Sequence, residues 1–225
     1  MAREYAVIPD ENVPIPPEAY SFEGFLRWTE SDSFPETGRI DFLAGDVEVE
    51  MSPEDLHTHG VVKTAMALTL GNLIYDTGLG DLYLDSSRLT SRPAGLSSEP
   101  DLFLVLRETL DTGRARFVTT RKGRSGSVEG APDLVVEIMS DSSVQKDTLR
   151  LPRLYARAGV PELWIADCRG DRVRFEIHTL LENGYAVIEA DADGWVRSPL
   201  LGRSFRLVRW TAPPFPWRYR LEHRD

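Results

Sequence analysis

Two acidic residues interrupt two apolar runs, Asp101 in EPDLFLVL and Glu137 in PDLVVEIMS. Both runs read as β-strands covered on both faces. A carboxylate in that setting is costly to bury unless it is paired, protonated or bound to a cation. Two such strands in one chain point to a shared site, and a divalent metal is the simplest partner for it. The fold must therefore bring these strands together in a sheet with helices on its faces.

The remaining elements suit such a sheet. After a proline-rich arm, Ser21–Thr29 reads as a helix with Phe22, Phe25, Leu26 and Trp28 on a broad apolar face and Ser21 as N-cap. RIDFLAGDVEVEM holds two alternating runs around Ala44-Gly45-Asp46 and reads as a β-hairpin. The strongest helix follows it, with Val61, Val62, Ala65, Met66, Leu70, Leu73 and Ile74 at helical spacing and Gly78 as the stop. Strands are expected at Leu82–Asp85, Leu102–Leu106 and Leu134–Ile138, with a polar Gly/Arg loop before the last. A second helix is expected over about Ser143–Ala158, capped by Ser140-Asp141-Ser142-Ser143 and ended by Gly159, with Pro152 either kinking it or marking a late start. Glu162–Asp167 and Arg172–Thr179 read as strands joined by a CRGD turn, and Gly184–Val208 as further aromatic-rich β-structure. This order describes an α/β fold, a mixed sheet flanked by helices, with an N-terminal helix and hairpin and a C-terminal β extension. No repeat or sharp composition shift divides the 225 residues, so one domain over 1–225 is expected.

Composition narrows the function. No apolar run is long enough to span a bilayer, and the first twenty residues lack the basic and apolar regions of a secretory signal, so the expected setting is the cytoplasm with no membrane partner. The single cysteine, Cys168, excludes an internal disulfide framework and a cysteine zinc site, and its place behind a buried strand suits an inert thiol. A net charge of −10 disfavours strong non-specific DNA binding. Basic residues nevertheless cluster between the acidic strands (Arg107, Arg114, Arg116, Arg121, Lys122, Arg124) and after the second (Lys146, Arg150, Arg153, Arg157), as a rim around an acidic centre or simply as solvated faces. There is no GxxxxGK[ST], GxGxxG, GxSxG or HExxH, so nucleotide cofactors, serine hydrolysis and zincin chemistry have no motif. Tail aromatics such as Trp195, Trp210 and Trp217 either line an interface or fold over the core, and no stacking pattern with interleaved basic residues stands out in the sequence.

PDLVVEIMSDSS, KDTLRLPRLYARAGVPELWIAD, RIDFLAGDVEVEMSPEDLHTHG and EPDLFLV together resemble the bacterial Uma family of restriction-endonuclease-like proteins, over about residues 20–180. The resemblance implies the PD-(D/E)XK nuclease fold, in which a four- or five-stranded mixed sheet is flanked by helices, with residues 181–225 as an extension. It implies phosphodiester hydrolysis, on DNA in the first instance, at a Mg²⁺ or Mn²⁺ held by Asp101 and Glu137, which would activate water and neutralise the scissile phosphate. A homodimer is expected by analogy, because two cleavage centres suit a duplex. The lysine that normally orients the nucleophile is missing two places after Glu137, where Met139 stands. At the place four before Tyr155, where many relatives carry lysine, this chain has Leu151. Lys146 is then the candidate, and His59 an auxiliary that binds metal or shuttles a proton. The alternative is a nuclease fold that kept nucleic-acid binding or assembly and lost catalysis.

Each residue also has a plainer reading. Asp101 and Asp133 both follow proline, where aspartate often opens a strand and hydrogen-bonds the turn, and for Asp133 this structural role is the expectation. Lys146 near a helix start opposes the helix dipole, which calls for a partner, yet solvated lysines are common. His57 and His59 suit caps or core contacts as well, and Asp41 and Glu50 on the hairpin are weaker candidates for a ligand or a structural hydrogen bond. Trp164 is expected in the core and Asp167 at the turn after its strand.

Overall fold

A computed structural model describes residues 13–120, 123–141, 144 and 146–225. The start of the proline-rich arm, Arg121, Lys122, Ser142 and Ser143 lie outside the described residues. The first helix, α1, runs Phe22–Thr29, and the Ser21 side chain caps it by accepting from the Gly24 N–H. The hairpin is β1 (Arg39–Leu43) and β2 (Asp46–Glu50), turned at Ala44 and Gly45, both with positive φ. A single π-helical turn, Leu56–Gly60, leads into α2 (Val61–Thr77), which Gly78 ends in the left-handed conformation.

The middle of the chain is richer in strands than its sequence suggests. β3 (Gly80–Leu84), β4 (Arg88–Ser91), β5 (Leu96–Ser98) and β6 (Leu102–Leu106) follow one another closely. The stretch expected as a polar loop contains the short helix α3 (Arg107–Asp111) and a hairpin of β7 (Ala115–Thr119) and β8 (Ser125–Gly130). These strands have exposed polar faces, and β8 holds on by parallel pairing to β4, a long-range contact that local patterning cannot register. β9 is Leu134–Ile138. The second predicted helix occupies the expected stretch: Val144 is helical, a π-helical turn runs Lys146–Arg150, and α4 (Leu151–Ala158) continues directly from it, with Pro152 just after the π-turn. The helical conformation begins before the proline, so Pro152 accompanies the π-irregularity inside the helix and does not mark a late start. β10 (Glu162–Asp167), β11 (Arg174–Leu181), β12 (Gly184–Val187), β13 (Val196–Ser198), β14 (Arg203–Ala212) and β15 (Phe215–Arg224) complete the chain.

Among the described residues three sheets form, ordered β2-β1-β5-β4-β8-β7, β12-β11-β10-β9-β6-β3 and β13-β14-β15. In the second, β9 and β10 run parallel, with α4 in the connection between them, while β6 is antiparallel to β9. Both its faces are covered. Val62, Met66, Leu70 and Ile74 of α2 pack on Leu102, Leu104, Val136 and Trp164. On the opposite side Leu151, Leu154 and Tyr155 of α4, with Leu43, Leu89 and Leu96 of the first sheet, pack on Phe103, Val135 and Ile165. Strands buried on both faces read as continuous apolar runs, which is why the two acidic interruptions stand out. Only Glu99, Pro100 and Asp101 separate β5 in the first sheet from β6 in the second, so Asp101 sits at the joint between sheets, one residue before β6 begins.

Glu162 fastens the third sheet to the second. Its Oε1 accepts from Trp164 Nε1 and Ser198 Oγ, both at 2.6 Å, and its Oε2 accepts from the Leu200 N–H at 3.1 Å. Three donors suit a group with acceptors only. Glu162→Gln turns an amide NH₂ toward one of those donors and is expected to cost about 1–3 kcal/mol, measured as a lowered denaturant midpoint with an unchanged slope.

Candidate active site

The register of β6 on β9 pairs Leu102 with Val136, so one step outward Asp101 stands opposite Glu137. The Ile138 N–H, next to Glu137, donates to Asp101 Oδ2 at 2.7 Å. The π-helical turn supplies the next group. Asp55 Oδ1 accepts from the N–H groups of His57 and Thr58, which fixes the turn and sets His59, rather than His57, at the site. His59 Nε2 is 3.3 Å from Asp101 Oδ2. Its Nδ1 is 3.0 Å from Glu54 Oε2 without the alignment of a full hydrogen bond, so that contact is chiefly an ion pair. One helical turn on, Lys63 Nζ lies 3.2 Å from Asp101 Oδ1, 3.0 Å from Glu54 and 2.6 Å from Asp85. From β1, Arg39 Nη2 reaches Asp101 Oδ1 at 2.9 Å.

The two central carboxylates are driven in opposite directions. Burial alone would raise Asp101, but the His59 contact and the charges of Arg39 and Lys63 outweigh it and hold this carboxyl well below the usual range. Glu137 is pushed well above its usual range, first by burial and then by the negative charges of Asp101 and Asp147. Its Oε1 accepts from the Tyr155 hydroxyl at 2.5 Å, and Ser98 Oγ lies 3.4 Å from that hydroxyl. Burial disfavours an imidazolium at His59, yet the Asp101 and Glu54 carboxylates more than offset this and lift the ring to about 9. Glu54 falls to about 2, chiefly through His59.

Lys146 is buried beside this centre, 3.4 Å from Asp41 Oδ2 and 3.1 Å from Glu50 Oε2. Asp41 Oδ1 also accepts from the Glu99 N–H at 3.2 Å, next to the joint that carries Asp101. Asp101, Glu137 and His59 thus come together, while the contacts of Lys146 go to the hairpin carboxylates. Met139 packs in the apolar cluster with α4. Asp133 ties β6, α3 and β9 together, accepting from the Leu106 N–H at 2.7 Å, Thr109 Oγ1 at 2.8 Å and Arg114. Trp164 is fully buried, and Asp167 accepts from the Arg169 N–H in the turn. Cys168 is buried and its thiol pushed up to about 12 by burial. In the expected basic rim, Arg114 and Arg116 pair with Asp133 and Glu129, and Arg150 pairs with Asp46 and Glu48.

Sequence reasoning passed over Arg39, Glu54, Lys63 and Tyr155. Lys63 carried the same signal as Glu137, a charge inside the apolar stretch VVKTAMALTL, and its spacing of four from His59 puts both on one helix face. Arg39 and Tyr155 carried none, because their partners are distant in sequence.

The donor set fits a divalent cation. Among the described residues the cationic side chains of this cluster are Arg39, His59, Lys63 and Lys146. Facing them are Asp41, Glu50, Glu54, Asp85, Asp101, Glu137 and Asp147, an excess of carboxylates that a divalent cation would offset. Glu54, His59 and Asp101 also place one possible ligand atom each within 4.8 Å of one another. A protonated His59 donates from that position and does not ligate.

Fold and site together define a mixed α/β protein of nuclease-like architecture with a buried acidic centre. The chain belongs to the Uma2 family, described as "Putative restriction endonuclease", whose family model matches residues 22–208 and so extends into the third sheet. A crystal structure from Anabaena variabilis, described as a "putative nuclease" belonging to DUF820, shares the fold with a TM-score of 0.59 at 18% identity, over 84% of this chain and 92% of that one. No curated protein matches in sequence.

The His59 pairing has a pH signature. A pKa raised from 6.5 to about 9 gives stability that is fully present below 6.5 and lost as the pH rises through 9. Melting in a chelating buffer is expected to show the wild type losing stability across that window, with the slope flattened in His59→Gln.

Proposed function

We propose that this protein is a metal-dependent endonuclease that hydrolyses phosphodiester bonds in DNA. The observation that carries the reading is the pair of buried carboxylates facing each other across β6 and β9, Asp101 held below its usual range by His59, Arg39 and Lys63 and Glu137 pushed above its own chiefly by burial. Asp101 and Glu137 would hold Mg²⁺ or Mn²⁺, which when bound activates water and neutralises charge on the phosphate. Tyr155 fixes the Glu137 carboxyl by its hydrogen bond, and the buried apolar surroundings keep bulk water from competing. His59 holds a proton between Asp101 and Glu54, where it serves as the auxiliary proton donor. Lys146 is the candidate for orienting the attacking water, and Lys63, the amine in contact with Asp101, is the second. By analogy with enzymes that cut both strands of a duplex, the working form is a cytoplasmic homodimer.

Met139 in place of the motif lysine favours one other reading, a nuclease fold that binds nucleic acid or a partner without cutting. Calorimetry with Mn²⁺ or Mg²⁺ in low salt, alongside nicking of supercoiled plasmid, decides between them. Metal binding is expected to vanish in Asp101→Ala and Glu137→Ala, and nicking to fall by at least about a hundredfold, the usual cost of removing a group that stabilises the transition state. The lysine that orients water is identified as the one whose change to Met abolishes nicking while metal binding persists. Nicking at the wild-type rate in Glu137→Ala would refute the nuclease site, and salt-sensitive DNA binding without nicking in the wild type would establish the non-cutting reading.

A further inference from the structure

The β14–β15 ribbon has two unlike faces. Phe205, Leu207, Tyr219 and Leu221 point inward onto the core that α2 covers, and Thr69 Oγ1 of α2 donates to the Leu221 carbonyl at 2.9 Å. The register pairs Arg206 with Glu222, Val208 with Arg220 and Trp210 with Arg218 on the other face, so toward the tip two arginines of β15 stand across from Val208 and Trp210 of β14. Guanidinium groups lie on rings: Arg220 over Trp210 at 5.5 Å and Arg218 over Phe215 at 4.4 Å, with Arg206 and Arg224 over Trp195 at 4.6 and 4.4 Å.

These arginines are not equivalent. Arg206 is neutralised by Glu222 at 2.8 Å and Arg224 by Asp191 at 2.6 Å. Arg218 and Arg220 are exposed, and among the described residues neither has a carboxylate partner, although the chain carries a net charge of −10. A ring beneath each guanidinium orders it and leaves its N–H edge open, the form in which arginine meets phosphate in a two-pronged contact. Trp210 and Phe215 are themselves 39% and 48% exposed toward the tip. β13 pairs only with Arg203–Phe205 of β14, so beyond that point the ribbon has two strands, a width the DNA major groove admits.

We propose that the outer face of β14–β15, through Arg218, Arg220 and Trp210, is a docking surface for duplex DNA. The choice of DNA among polyanions rests on the nuclease reading, whereas the surface does not use the acidic site. An anionic membrane offers phosphates too, but a groove accommodates a narrow ribbon with its charges on one face.

The test uses the full chain, in EDTA so that nothing is cut, with a labelled duplex of about twenty base pairs and fluorescence anisotropy over a salt series. The double variant Arg218→Ala/Arg220→Ala is expected to bind at least about tenfold more weakly and to lower the slope of log affinity against log salt by about 2. Arg218→Lys/Arg220→Lys is expected to retain that slope. Both positions are exposed, and an unchanged melting temperature verifies folding. Unchanged affinity and slope in the alanine variant overturns the proposal, as does an absence of duplex binding by the wild type at low salt. Arginine-dependent binding to phosphatidylserine vesicles but not to duplex overturns it in favour of a membrane. Nicking is scored separately, so a protein that binds through these residues and never cuts keeps this surface and sinks only the nuclease reading.

Discussion

The site depends on one antiparallel register. Because Leu102 pairs with Val136, Asp101 meets Glu137, and a slip of one residue would turn Glu137 into the opposite apolar layer. Two carboxylates brought together away from water repel each other and lose hydration, a cost of several kcal/mol unless cations offset it. The surrounding architecture supplies those cations: Arg39 from the first sheet, His59 from the π-helical turn and Lys63 from the start of α2. The asymmetry between Asp101 and Glu137 follows from this arrangement, since all three cations touch Asp101 while Glu137 receives a neutral phenol.

Much of the scaffold was legible because its elements are amphipathic or doubly buried. The β1–β2 hairpin, α2, β6, β9 and β10 carry period-two, helical or continuous apolar signals that depend on near neighbours in sequence. The two acidic strand residues were legible for the same reason, as exceptions to a pattern. The strands β4, β5, β7 and β8 were hidden because they are short or half-polar and gain their order from pairing with one another. The centre of the site was only half visible. Arg39 and Asp101 are 62 positions apart and their contact leaves no local trace, and Tyr155 reads as another apolar position on α4 until its hydroxyl is seen on Glu137.

The lysines illustrate how the same chemistry can be arranged from different elements. Lys146, the candidate because the resemblance moves the lysine into the helix after the acidic strand, closes on Asp41 and Glu50 and so holds β1–β2 against the segment leading to α4. Lys63 was overlooked inside a hydrophobic helix and ends beside Asp101. α2 and the hairpin both return to the joint where β5 becomes β6, and an amine sits at each, Lys63 of α2 beside Asp101 and Lys146 against Asp41 of the hairpin.

That joint divides the site between two sheets. Arg39, Asp41 and Glu50 come from the first, Glu137 from the second, and Asp101 from the three residues that connect them. Neither sheet alone presents the centre. A nascent polypeptide emerging in order completes β1 to β6 well before β9 exists, and the site appears only when the two layers dock. Docking of the two sheets is thus the same event that brings the two carboxylates and their cations together.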